Sequence, residues 1–412
     1  MTKPKLRFTE NDNFYSDWVK ITLKDLAMSS KGGTLSKSDL DPQGSIPCLL
    51  YGELYTTYTE VTNKVVSRTN ITTDLVKSQN GDVVLPMSGE TAEDIAKATC
   101  LKQEGVAYGG DLLVLRSDEV DGAFLSYSLN SINRRQIARI AQGKTVVHIN
   151  WARLSNIAIN IPSLEEQRKI SDFLTTLDKK IEISRKRINI LENIGNNILN
   201  KIFSREKRFK KSNGSLYENW GNTTIENISK VSSGKRVHRS DWKKEGIPFY
   251  RTSDIMSVLN GCKNQMGDAF ISKSLYDELT RDNEKLEKND LLITGGGSVG
   301  VPYIVSKTPL YTKDADLLWL KPDHNKVNSK FLYYFFFSKE FRRYLASISH
   351  SGTIAHYTIS QLKNTPILLP ELEEQEKIVA FLNSFYKKTE IEKKKLKLLN
   401  DLKRSLLNQM LI

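Results

Sequence analysis

The sequence predicts an α+β protein: two similar globular domains joined by two long helices that pair as an antiparallel coiled coil, in a pseudo-two-fold internal duplication. Three observations carry this. The chain repeats itself at an offset of 208 residues, each repeat closes on a segment of about 40 residues nearly free of Pro and Gly, and those segments carry a heptad apolar seam.

LEEQRKI at 164–170 returns as LEEQEKI at 372–378, and residues 154–203 and 362–411 agree without a gap at 20 of 50 positions. Upstream at the same offset, Thr145 and His148 face Thr353 and His356. Further back the offset drifts by a few residues, as loops of unequal length require. Asp82 then meets Asp290, DLLVLR (111–116) meets DLLWLK (316–321), Trp18 meets Trp220, and Arg7-Phe8 meets Arg208-Phe209. A period of about 205 residues is far longer than a solenoid unit and marks a duplicated domain with its connector. The expected division is 1–160 and 206–369 for the globular domains, with 161–205 and 370–412 as helical spacers.

The globular parts mix short β-rich runs such as DLLVL and DLLWL with Gly/Pro/Asn/Ser turns and short helices. Pro162 and Pro370 mark the approach to each long helix. In the first, Ile170, Leu174, Leu177, Ile181, Ile188 and Leu191 recur at spacings of three, four and seven, with Ser184 as a polar interruption. The second keeps Ile378, Leu382, Phe385, Leu396 and Leu399 in register, with Thr389 and Glu392 on the seam. Helices with so narrow an apolar stripe need partners, and two copies in one chain can pair antiparallel. The competing expectation is that they fold back as covers on their own domains. Gly195, matched by Lys403, is expected to interrupt the first helix late.

The charge balance of +13, 61 Lys and Arg against 48 Asp and Glu, favours a polyanionic partner over an acidic one. Three cysteines, Cys48, Cys100 and Cys262, are too few and too scattered for a disulfide framework or a paired-Cys metal site, which points to a reduced, cytoplasmic protein. The longest apolar run, FLYYFFF at 331–337, falls far short of the ~20 residues of a membrane span.

Enzyme motifs fail on spacing. QGKT at 142–145 lacks the earlier glycine of a phosphate loop, since that position is Ala138. GGGSVG at 295–300 reads as a tight turn or a close backbone approach. The carboxylates of both EEQ stretches suit a helix N-terminus, and His148 and His356 lack neighbours at metal-ligand spacing. The chain reads as non-enzymatic, with no metal and no cofactor of its own.

Basic loops are better candidates. KVSSGKRVHRSDWKK (230–244) has six Lys or Arg against one Asp, and offers Lys235, Arg236, His238, Arg239, Lys243 and Lys244 for phosphate and base-edge contacts. The matching loop (29–45) offers Lys31 and Lys37. SINRRQIARIAQGK (131–144) adds Arg134, Arg135, Arg139 and Lys144, and its counterpart adds Arg342, Arg343 and His350.

The pattern of a Trp-led strand, a Gly-rich loop before Ile-Pro, GD or ND before a glycine turn, and P-x-LEEQ-x-KI opening a long helix, twice over, resembles the DNA-specificity subunit of type I restriction-modification systems. The resemblance covers nearly the whole chain. It implies two target recognition domains, each reading half of a bipartite double-stranded DNA site, with the helices setting the gap. It implies two adenine methyltransferase (modification) subunits using S-adenosylmethionine, and two restriction subunits using ATP and Mg2+. Only framework residues carry over: Trp18, Trp220, Pro162, Pro370, Gln167, Gln375 and the heptad positions. The alternatives are an orphan DNA-binding specificity protein and a two-domain coiled-coil adaptor that does not bind DNA.

Overall fold

The computed structural model describes residues 4–10, 13–14, 17–143, 146–259, 269–281, 285–312, 316–348 and 356–412. Its contacts divide the chain into two compact units, residues 1–186 with 393–412 and residues 187–392. Each unit holds one globular part, the opening of one long helix and the end of the other. The division crosses both helices, whereas 160, 205 and 369 lie next to the ends of a strand (Ala158–Ile161), a helix (Leu164–Phe203) and a strand (Pro366–Leu369).

In the first unit, a five-stranded sheet runs in the order Met28–Lys31, Leu112–Arg116, Asp82–Pro86, Thr99–Leu101, Val61–Thr62, antiparallel except for its last pair. Its central strands are continuous apolar runs because both faces are covered. Val83, Leu85, Leu113 and Leu115 face a large core shared with the helices, while Val84, Leu112 and Val114 face a smaller one with Leu49, Leu54 and Tyr108. The second unit repeats the scheme with four strands, Ser229–Ser233, Leu317–Pro322, Leu291–Thr294 and Pro302–Ile304. There Leu291, Ile293, Leu318 and Leu320 face the helix side, and Leu292, Leu317 and Trp319 face the other. In each unit a three-stranded sheet completes the fold: Ala107–Tyr108, Ile46–Leu49, Arg68–Thr69 in one and Phe270–Ile271, Ile247–Tyr250, Tyr311–Thr312 in the other. A two-stranded ribbon leads into each long helix, Val19–Thr22 with Ala158–Ile161 and Gly221–Thr224 with Pro366–Leu369.

The long helices are Leu164–Phe203 and Leu372–Met410. In the first unit, Ile170, Leu174, Leu177 and Ile181 share one core with Leu406 and Met410, and Leu396 and Leu399 pack against it. In the second, Ile378 and Leu382 share a core with Leu199, Ile202 and Phe203. In both units the start of one helix therefore lies on the end of the other, which is antiparallel pairing. Both expectations for the helices hold at once, because the paired turns are also embedded in the globular cores beside Phe124 and Tyr127, or Phe331 and Tyr334. Ile188, Leu191, Phe385, Leu396 and Leu399 are half-buried. The seam runs beyond the residues expected from sequence, through Gly195, Leu199 and Ile202 and through Lys403, Leu406 and Met410. Gly195 does not interrupt the first helix. It lies buried in an unbroken helix because a Cβ there would approach the Phe385 ring to 3.1 Å.

Candidate nucleic-acid interface and helix faces

The globular parts are bound to their helices through two residues of each EEQ stretch, the second glutamate and the glutamine. Glu165 and Glu373 lie on the surface and pair with Lys169 and Lys377 one turn on. Glu166 and Glu374 are fully buried, and each receives an arginine from the segment ahead of its domain. Both carboxylates of each pair lie in the first turn of their helix, where a negative charge was expected. The second is an anchor, since a buried carboxylate needs a charged partner. Gln167 and Gln375 are likewise buried: Gln167 Nε2 donates to the Pro162 carbonyl at 2.9 Å and Gln375 Nε2 to that of Pro370 at 2.9 Å. Their Oε1 atoms accept from the backbone amides of Asp121 and Asn328, at 2.9 and 2.8 Å, which cap the helices Gly122–Asn130 and Ser329–Phe335. One side chain thereby fixes two helix starts.

The matched basic loops share a backbone plan. Gly32 and Gly234 follow equivalent strands, and a Cβ would lie 2.0 Å from the Gly109 carbonyl oxygen at the first and 2.6 Å from that of Thr312 at the second. Each loop then makes a single 3-10 turn, Lys37–Asp39 or Arg239–Asp241. The turn's last aspartate accepts the backbone amide of Ser36 at 2.8 Å or of His238 at 3.2 Å. Upon this common frame the side chains differ. Lys31 and Lys37 are exposed on one; Lys235, Arg236, His238, Arg239, Lys243 and Lys244 are exposed on the other.

In the second loop the backbone is held while the cations stay outside. The Lys235 amide donates to the Tyr311 hydroxyl at 2.8 Å, and Lys243 exchanges backbone hydrogen bonds with Phe270 at 2.8 and 3.1 Å. Trp242, packed 5.8 Å from the Phe249 ring, lies under two guanidinium groups, Arg239 at 5.9 Å and Arg251 at 5.2 Å. The sequence reading missed Arg251. Its signal, an arginine ending the strand IPFY that the loop leads into, is visible only once the loop is folded back.

The helical arginines are partly engaged. Arg134, Arg135 and Arg139 are exposed on the helix Arg134–Ile140, whose Ile137 faces the core, and Arg134 donates to the Glu93 carbonyl at 3.2 Å. Arg343 pairs with Glu340 at 2.7 Å and Arg342 donates to the Val299 carbonyl at 3.2 Å. Lys144 and His350 lie outside the described residues.

His148 Nδ1 is 3.0 Å from the Ser88 hydroxyl, which also donates to Asp111 at 3.2 Å. His356 bridges to Gly296 in the glycine turn, where Gly297 and Gly300 take φ of +70° and +73°. That stretch is the tight turn expected. Among the described residues no group of three His, Cys, Asp or Glu could hold a metal, and no helix is long and apolar enough to cross a membrane.

A further face escaped the sequence reading. Ile183, Ile190 and Ile194 on the first long helix are 50%, 57% and 43% exposed; their equivalents Ile391, Leu398 and Leu402 on the second are 56%, 69% and 47% exposed. Each sits one residue before a seam position, so about 100° round the helix from it. The duplication has kept an apolar stripe that the fold does not cover.

Residues 15–193 and 217–401 each match the family described as "Type I restriction modification DNA specificity domain". The chain is 22% identical to the type I restriction enzyme MjaVIII specificity subunit of Methanocaldococcus jannaschii, over 98% of this chain and 96% of that one. It is 25% identical to the putative MjaX specificity subunit of the same organism, over 98% and 97%. In fold it is similar to the crystal structure of a type I restriction-modification S subunit from M. genitalium, with TM-score 0.64 and 19% identity over 100% of this chain and 99% of that one. It is also similar to a chain from a study of type I restriction-modification complex assembly, with TM-score 0.55 and 17% identity over 96% and 97%. The protein belongs to the type I restriction-modification DNA specificity family and carries the family's domain twice.

Proposed function

We propose that this chain reads a bipartite double-stranded DNA site for a type I restriction-modification complex, one half-site per globular part. The observation that carries the reading is the pair of matched loops, which have one backbone frame and unlike side chains. Two unlike readers on a repeated scaffold select two unlike half-sites. Lys31, Lys37, Arg134, Arg135, Arg139 and Lys144 would serve one half, and Lys235, Arg236, His238, Arg239, Lys243, Lys244, Arg342 and Arg343 the other. The exposed cations of the matched loops would release DNA counterions on binding and offer their donors to base edges. Each helix, 40 or 39 residues long, reaches ~60 Å at 1.5 Å per residue. That suffices to set half-sites about one ~34 Å turn apart.

The chain would bring recognition, and catalysis would belong to its partners: two modification subunits, adenine methyltransferases using S-adenosylmethionine, and two restriction subunits using ATP and Mg2+. The duplicated apolar stripe supports a pair of identical partners, because equivalent faces present the same spacing twice.

The test is co-expression with the cognate methyltransferase subunit, followed by sequencing of N6-methyladenine in the host DNA. The expected result is a split motif with a fixed gap, of which exchange of residues 1–160 alters one half alone. Methylation without a split motif, or no association with a methyltransferase, would overturn the reading.

A further inference from the structure

At one place on the seam, equivalent positions of the two units carry unlike groups. In the first unit, Lys403 Nζ lies 2.7 Å from Asp178 Oδ1 and 2.9 Å from Glu60 Oε1, and 5.5 Å from the centre of the Tyr127 ring. The Tyr127 hydroxyl donates to Asp178 Oδ2 at 2.6 Å. A cavity of about 790 Å³ bordered by Tyr127, Asp178 and Lys403 keeps these charges in touch with solvent, which limits what their burial costs. In the second unit Gly195 stands where Lys403 stood, Tyr386 where Asp178 stood, and Phe385 where Leu177 stood. Tyr334, the counterpart of Tyr127, stacks on Tyr386 at 5.5 Å and 14°. A Cβ on Gly195 would lie 3.1 Å from Phe385 and 3.5 Å from Tyr386. Glycine is unfavourable inside a helix, so its presence here answers a packing need.

We propose that these positions form a pairing code, by which the opening of each long helix accepts the end of the other helix and rejects the same helix of a second copy of the chain. Two first helices would set Gly195 against Leu177 and Asp178, leaving a void beside a carboxylate without its cation. Two second helices would drive Lys403 into the space of Phe385 and Tyr386, where an aromatic ring stands in place of Asp178. Both like-with-like pairings fail, each for its own reason. The code thus keeps one of each unlike half in every particle.

The full-length chain tests this by exchange. Gly195→Lys with Lys403→Gly mismatches both units and is expected to lower Tm by roughly 5–10 °C. Adding Leu177→Phe, Asp178→Tyr, Phe385→Leu and Tyr386→Asp moves the three helix positions of each set into the other unit, with Glu60 left in place, and is expected to regain at least half of that loss. If the two-residue variant does not fold, recovery of folded protein by the six-residue variant reads the same way. A six-residue variant no more stable than the two-residue one, or a two-residue variant with unchanged Tm, would overturn the proposal.

Discussion

Arg7 donates two hydrogen bonds to Glu166 across 159 residues of chain, from Nε at 3.0 Å and Nη2 at 2.6 Å. Arg208 grips Glu374 in the same way, at 3.3 and 3.1 Å. Next to them Phe8 meets Phe173 edge-on at 6.1 Å and Phe209 meets Phe381 at 5.7 Å. The repeated Arg-Phe pair is therefore a clasp that holds the incoming chain to a helix start. Both carboxylates are wholly buried, so losing one takes away its arginine's charged partner, although Arg208 also donates to the Tyr217 and Glu218 carbonyls. Glu374→Ala is expected to cost about 3–5 kcal/mol, read as a lower urea midpoint. A loss below about 1 kcal/mol would mean the clasp is incidental.

The two equivalent tryptophans are not equivalent in bonding. Trp220 Nε1 donates to Glu374 at 2.9 Å, whereas the buried Trp18 Nε1 has no partner among the described residues. Trp220→Phe is expected to cost about 1–2 kcal/mol more than Trp18→Phe, since only the former leaves an acceptor short. Equal losses in chemical denaturation would show that ring packing alone decides both.

Asp82 and Asp290 are equivalent buried carboxylates with different partners. Asp82 takes Arg116 at 2.7 Å through both oxygens, while Asp290 takes the Trp319 indole at 2.9 Å and the Glu287 amide at 2.8 Å. Burial pushes the Asp290 carboxyl up from the usual range, against those two hydrogen bonds. A folded-state pKa above the unfolded one gives stability that is fully present below the unfolded pKa and lost as pH rises through the folded one. Asp290→Asn, whose amide oxygen can accept both bonds, is expected to gain on the natural protein from about pH 4 upward. A stability difference flat between pH 4 and 7 would count against this.

Arg236→Ala or Arg239→Ala is expected to weaken reading at one half-site by about 1–3 kcal/mol and leave the other unchanged. Methylation of DNA carrying single-half substitutions measures this. Equal loss at both halves would detach the loop from its own domain's reading face.

Ile190→Glu with Leu398→Glu breaks the exposed stripe in both copies. Co-purification of the methyltransferase is expected to fall sharply, while Tm stays within about 2 °C because both side chains face solvent. Undiminished co-purification would place the docking face elsewhere.

The long helices and their seam were legible because a heptad is local: each apolar residue announces the next. The matched Arg7-Phe8 and Arg208-Phe209 were also visible, yet their role was not, since the partner lies about 160 residues away and no spacing rule reaches it. Gly195 was misread for a related reason. A lone glycine looks like a break until the ring it makes room for is known. The basic loops were legible as charge, but Arg251 joins Arg239 only through the folded-back Trp242. The strands' alternation between two cores was hidden because residues buried on both faces read as one unbroken apolar run.

The two units differ in how they are drawn from the chain. Residues 187–392 are contiguous, whereas the other unit needs residues 393–412 to complete a core begun by residues 1–186. During synthesis, then, the domain made first is the one finished last. Its helix opening, with Ile170, Leu174 and Leu177, must wait for Leu406 and Met410 to leave the ribosome, while the later domain already has every strand and both of its helix segments. A chain cut short within residues 393–412 would have its second domain built and its first one open.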